Sequence, residues 1–176
     1  MKSPSSAIMV LLLLTHSTLG ESQTCNSSMI KNAPDSRYIM ATNGTVFDKK
    51  TGLIWMRCAL GQTWNTSTCF GTPKTYTWQN ALKAAESVSF AGQSDWRLPN
   101  QKELQSLVEN SCYLPAINLK AFPNATNNTL WSATPRSANL LASGDKAWGI
   151  RFEYGGFSVE TYKNSNFAIR LVRGGG

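Results

Sequence analysis

The sequence has 176 residues, with 17 Lys and Arg against 10 Asp and Glu, four Cys, six Trp and a single His, and only 15% of its residues are charged. This length fits one domain. A 41% apolar content supports a sizeable core and excludes disordered, collagen-like or coiled-coil architectures. At the N-terminus, Met1 and Lys2 precede an apolar run from Ile8 to Leu14, and Thr18-Leu19-Gly20 supplies small residues at the cleavage positions, so residues 1–20 read as a secretory signal peptide. The run is far shorter than the ~20 residues of a membrane span. Export to the periplasm, the cell surface or the medium is therefore expected, without a lipid anchor, because Cys25 lacks a lipoprotein context.

Cleavage removes Lys2 and His16, which leaves 16 basic and 10 acidic side chains, a net charge of +6, and no histidine. Ser-His-Asp and Cys-His catalysis lose their base, and zinc or copper sites lose their commonest ligand. Cys25, Cys58, Cys69 and Cys112 form an even set in an exported chain and read as two disulfides with three possible connectivities. Cys58–Cys69 with Cys25–Cys112 is favoured, since the first closes the Gly-, Thr- and Asn-rich loop Ala59 to Phe70 and the second pins the N-terminal segment to a helix end.

In chain order, residues 21–37 read as a polar, irregular N-terminal arm, and a domain is expected over 38–176. Thr45 to Met56 predicts a hairpin with the basic tip Lys49-Lys50-Thr51-Gly52. Thr77 can cap a helix whose Trp78, Ala81, Leu82, Ala85 and Val88 recur on one face, with Gly92 beyond its end. Asn100 and Glu103 form a capping-box variant ahead of a second helix with Leu104, Leu107 and Val108 inward, ending near Asn110. Residues 113–146 look loop-dominated around Pro115, Pro123 and Pro135, with one apolar stretch from Thr129 to Ser132. Gly155-Gly156 predicts a two-residue turn that sets Tyr154 opposite Phe157 and Arg151 opposite Glu160, and Phe167 to Arg173 alternates as a last strand. The fold class is α+β: a disulfide-stapled single domain with two helices packed on antiparallel hairpins and sheet.

The segments GTVFDKKTGLIWMRC (Gly44 to Cys58), YTWQNAL (Tyr76 to Leu82), FAGQSDWRLPNQKELQSLV (Phe90 to Val108), the PAIN and FPN pair and IRLVRGG (Ile169 to Gly175) together resemble the C-terminal domain family of the Legionella collagen-like adhesin. The resemblance runs from about Tyr38 to Gly175. It implies an exported bacterial domain and, for the adhesin that names the family, a trimeric module that binds sulfated glycosaminoglycans through basic surface. A fainter fold resemblance to C-type-lectin-like and formylglycine-generating-enzyme-like domains rests on Arg97-Leu98-Pro99 before a helix and Arg173-Gly174-Gly175 at the end.

The basic excess points to a polyanionic or sulfated glycan as ligand, with a protein partner as the alternative and nucleic acid set aside by the export signal. The loop and tip cations Lys49, Lys50, Lys74, Lys120, Arg136 and Lys146 are the expected contacts. Trp64 in the disulfide loop and Trp131 in the long loop region are the expected stacking residues. Arg97 and Asp95, together with an Arg151–Glu160 pair, are assigned structural roles, as are Trp55, Trp78, Trp96 and Trp148. No spaced acidic loop suggests calcium, Asn124 to Asn128 carrying no carboxylate. Asp95, Glu103, Glu109, Asp145 and Glu153 show no spacing that marks a glycosidase pair. No metal, cofactor or catalytic activity is expected.

Overall fold

The computed structural model describes residues 22–137 and 144–174; the signal peptide read over residues 1–20 lies outside them. Two sheets carry the architecture. The first contains β2 (Tyr38–Met40), β3 (Thr45–Asp48) and β4 (Leu53–Met56), closed on its far side by β13 (Val172–Arg173), in the order β13-β4-β3-β2. The second runs β11-β10-β9-β12-β7 and is made of β7 (Thr75–Tyr76), β9 (Thr129–Pro135), β10 (Lys146–Arg151), β11 (Phe157–Tyr162) and β12 (Phe167–Ala168). Two short ladders complete it: β1 (Thr24–Cys25) on β8 (Cys112–Tyr113), and β5 (Thr63–Trp64) on β6 (Cys69–Phe70). Cys25–Cys112 crosslinks the first ladder, and Cys58–Cys69 ties β6 of the second to the segment that follows β4.

The early hairpin forms because apolar Val46, Leu53 and Trp55 lie inward and Asp48 ties the tip. Asp48 faces Leu53, Gly52 N donates to the Asp48 carbonyl at 2.8 Å, and the Asp48 carboxylate takes the Lys50 amide at 3.0 Å and the Thr51 hydroxyl at 2.7 Å. Gly52 sits at φ +73°, which its lack of a Cβ permits.

Helix α1 (Trp78–Glu86) buries Ala81 and Ala85 as its spacing predicts, but the Thr77 side chain makes no capping bond. Helix α2 (Gln101–Gln105) has the full reciprocal box: Glu103 N donates to Asn100 Oδ1 at 2.9 Å and Asn100 N to Glu103 Oε2 at 2.7 Å. It stops at Gln105 rather than near Asn110, because the chain tightens into turns and Val108 bridges to Ile117.

Three further expectations are corrected. Thr129 to Pro135 is a central strand, not a loop interruption. The late hairpin is offset: Arg151 faces Phe157 and Glu160 faces Trp148. Phe152 turns into the core at 1% exposure, its carbonyl accepts from Ala116 N at 2.6 Å and Glu153 O from Leu114 N at 2.8 Å, so residues 152–154 bond to the 113–116 segment instead of to β11. Phe167 to Arg173 is not one alternating strand either. β12 lies in the five-stranded sheet and β13 in the four-stranded one, and every residue from Ala168 to Val172 is buried where the chain crosses between them.

The interior divides into two apolar clusters, one around Trp55, Leu104, Leu107, Phe122, Ile150 and Phe152, the other around Trp96, Leu98, Trp131, Ile169 and Leu171. Three arginines are buried with them. Arg37 pairs with Asp48, whereas Arg57 and Arg170 meet no carboxylate among the described residues and donate to carbonyls: Arg57 to Ala121 at 3.0 Å and Lys120 at 2.6 Å, Arg170 through Nη1 to Met56 at 2.9 Å and to Arg57, its Nε remaining unpaired among them. Burial pulls the Arg170 guanidinium down to about 9, which leaves it cationic at neutral pH. Its face rests on the Phe122 ring at 4.8 Å.

Candidate functional site: a lysine-lined cleft beside the hairpin tip

The N-terminal arm packs closely on the domain. Beyond the Cys25–Cys112 bridge, Asn32 Nδ2 donates to Val108 O, Asn110 N to Asn32 Oδ1 at 2.7 Å, and Ala33 N to the buried Glu109 carboxylate at 2.8 Å. Burial alone would raise the Glu109 pKa, but hydrogen bonds from the Ser111 hydroxyl and amide and from the arm's amides outweigh it and hold the carboxyl below its usual range.

This packing sets the arm against the hairpin tip. Between them lies a cleft of about 490 Å³ lined by Lys31, Asn32, Pro34, Arg37, Lys49 and Lys50. Arg37 forms its wall and is neutralised: Nε donates to Asp48 Oδ1 at 2.6 Å, Nη2 bonds Oδ2, and Nη1 reaches Ser106 O at 2.9 Å. Burial would raise the Asp48 pKa, and the Arg37, Thr51 and Lys50 hydrogen bonds reverse that and keep it low. Lys31, Lys49 and Lys50 are exposed and form no salt bridge among the described residues, although the Lys31 charge is near enough to Asp35 to help lower its pKa. A second cleft of about 220 Å³ shares Lys31 and adds Lys120, Asp35, Asn118 and Glu109. There Lys120 Nζ pairs with Asp35 at 2.7 Å, a bond that holds the Asp35 carboxyl below its usual range.

Of the residues singled out in the sequence, the cleft unites Lys49 and Lys50 and places Lys120 next to it through Lys31. The others lie elsewhere. Lys74 packs by the disulfide loop, its amide on Leu60 O at 2.9 Å. Arg136 pairs with Glu160 at 2.9 Å, and thus takes the partner expected for Arg151, while Arg151 lies 3.7 Å from Glu153. Lys146 covers the Tyr162 ring at 4.8 Å. Trp64 is a strut: Nε1 donates to Thr42 O at 2.7 Å, and the Arg57 guanidinium sits 4.3 Å from its ring. Trp131 is 0% exposed, donates to Tyr76 O at 2.8 Å and meets Phe167 edge-on, so it cannot touch a ligand; the apolar stretch that carries it is a buried strand. Trp55 and Trp96 are buried, and Trp78 and Trp148 half-buried. Arg97 makes a two-pronged bond to Glu103 at 2.8 and 2.7 Å and reaches Gly174 O, and Asp95 holds Arg173 at 2.7 Å. Lys31 was not foreseen: only the tether of its arm to Cys112 could have suggested it.

A family model described as the Lcl C-terminal domain matches residues 44–173. The chain belongs to this family. Within this Lcl C-terminal domain the matched stretch contains the hairpin tip, both helices, the five-stranded sheet and all of the four-stranded one except β2, while the arm that contributes Lys31 precedes it. No curated protein matches the chain. The two disulfides suit an oxidising compartment, and no helix of the described residues is long and apolar enough to cross a membrane.

Proposed function

We propose that this is a non-catalytic, exported binding module that holds sulfated or otherwise polyanionic glycan in the cleft of Lys31, Lys49 and Lys50, in surface attachment of a bacterial cell. The observation that carries the reading is charge compensation. Most cations of the described residues are paired, buried or laid on an aromatic ring, but these three line one open cleft and face solvent without a salt bridge, Lys31 having only the longer-range charge of Asp35 nearby. A sulfated chain laid there displaces its counterions, and lysine point charges on flexible stems accommodate the irregular spacing of sulfates. Membership of a family named for an adhesin domain supports the same reading, and a trimer, implied by that resemblance, would multiply a weak single cleft by avidity.

The test is retention of the oxidised domain on heparin across a salt series, with neutral dextran as control. Retention should fall steeply with salt, and each of Lys31→Gln, Lys49→Gln and Lys50→Gln should lower the slope by about one counterion. A folded domain that ignores heparin at low salt would sink the proposal. A protein partner is the second reading, and one surface favours it: the exposed rings of Tyr113 and Tyr154 lie tilted with centroids 6.2 Å apart beside exposed Met29, around a cleft of about 360 Å³.

A further inference from the structure

A further cleft, of about 420 Å³, opens at one end of the five-stranded sheet, where β9 begins and β10 ends, with β12 and the edge strand β7 alongside. Its volume falls in the range of ~300–1,000 Å³ typical of small-ligand sites. Its lining differs in kind from the lysine cleft. It is built of amides and hydroxyls, chiefly Asn127, Asn128, Asn166 and surrounding threonines, with one ring, Phe167, and one charge pair, Arg151 and Glu153.

The amides have nothing to hold. The side chains of Asn127, Asn128 and Asn166 make no hydrogen bond to any described residue, as is also true of the exposed Asn80, Asn110 and Asn164, but only the first three line one cleft; Asn32, Asn100, Asn118 and Asn124 by contrast use theirs to fix a turn, a cap or a loop. A polar side chain that does local structural work shows it in its bonds; these three converge on a concavity and leave their donors and acceptors free. The charge pair is loose, with Nη1 of Arg151 3.7 Å from Glu153 Oε2 and both side chains partly exposed, so each keeps capacity for another partner. Phe167 is held edge-on against buried Trp131 at 5.0 Å, which fixes the plane of its ring at the cleft.

We infer that this cleft binds an uncharged, hydroxyl-rich ligand, a neutral saccharide unit. A vicinal diol can accept from Arg151 and donate to Glu153 at once, which an anion or a cation cannot do without meeting its own sign. The asparagine amides, donor and acceptor on one planar group, suit further hydroxyls, and the Phe167 ring offers an apolar surface to the C–H face of a pyranose. This site is separate in composition from the lysine cleft: it contains no lysine and its charges cancel.

The experiment is a two-dimensional NMR titration of the oxidised domain with glucose, galactose, mannose and N-acetylglucosamine in turn. The Asn side-chain NH₂ signals report directly on the cleft. Saturable shifts of the Asn127, Asn128 and Asn166 amides by at least one sugar are expected, unchanged across the salt series that releases heparin. Asn166→Ala and Arg151→Gln, both at exposed positions, should each weaken that sugar about tenfold while heparin retention stays as it was. If none of the four sugars moves these signals in a folded domain, or if the shifts fall elsewhere, the inference is overturned. Heparin binding can fail or succeed independently, so the two readings separate.

Discussion

The two clefts carry their charge in opposite ways. In the lysine cleft the one carboxylate, Asp48, belongs to buried Arg37 and to the turn, and three ammonium groups stand in front of it without a salt bridge among the described residues. In the sheet-end cleft Arg151 and Glu153 face each other, and the remaining polarity is neutral amide and hydroxyl. The difference teaches that a net charge of +7 over the whole sequence says little about any one surface. What matters is which cations have already been given a carboxylate, a carbonyl or a ring. The lysine cleft should answer to ionic strength, and the sheet-end cleft should not.

The largest way to break the contrast is Asp48→Ala. It strands the Arg37 guanidinium in the core and removes the acceptor for Lys50 N and Thr51, and should cost about 3–5 kcal/mol in urea denaturation, with the lysine cleft lost along with the turn. The Cys25→Ser/Cys112→Ser double variant comes next. It frees the arm that carries Lys31, and a loss of about 2–5 kcal/mol is expected, together with weaker heparin retention. Saccharide shifts at the sheet end should persist under conditions where that variant is folded.

The other cleft is broken by Gly149→Ala. A Cβ there would sit 2.7 Å from Thr129 Cγ2 and 2.9 Å from Leu130 O, so β9 and β10 must part where Thr129 lines the cleft; about 1–3 kcal/mol of destabilisation should appear in thermal melts, with heparin retention intact. Acid sharpens the comparison from the side of the lysine cleft. Asp48 and Glu109 both have lowered folded pKa values, so the stability they contribute is complete above their unfolded values of about 4 and is lost as pH falls through the folded ones. Denaturation midpoints should hold steady down to about pH 4 and drop below it, and Glu109→Gln should flatten the fall. The smallest effect on stability is that of Lys49→Gln/Lys50→Gln, within about 0.5 kcal/mol, although the pair should remove much of the heparin retention.

Local chemistry was legible in the sequence. The Asn100/Glu103 box, the hairpin around Asp48 and the inward stripe of α1 follow from spacing over a few residues, and all three are present. The cysteine pairing was legible because one loop could not order itself, although the other bridge, expected to reach a helix end, joins two short strands, since the helix stops at Gln105. What spacing could not show is competition at a distance. The turn at Gly155-Gly156 predicted an in-line hairpin, but the carbonyls of Phe152 and Glu153 are taken by Ala116 and Leu114, and Gly156 lies where a Cβ would strike Val108 at 2.4 Å. Trp131 looked like a loop residue because its strand has neighbours only from distant sequence, β10 and β12. For the same reason the site was half legible. Lys49 and Lys50 announce themselves at a turn, while Lys31 joins them only through an arm held by residues 108–118.

The passage of the C-terminal segment from one sheet to the other has a consequence for how the chain comes to be folded. Arg170 reaches the carbonyls of Met56 and Arg57 across more than a hundred positions, and Arg97 and Val172 exchange both of their backbone bonds. Contacts of such separation form late, since their loops must close before they stabilise anything. A chain halted short of Phe167 would lack the strand that joins β9 to β7 and the one that covers β4, and would leave Trp131 and Trp55 facing water. Such a product is sticky and open to proteases. The last seven residues of the two sheets thus act as a latch, and the closing of that latch distinguishes a finished domain from an abandoned one.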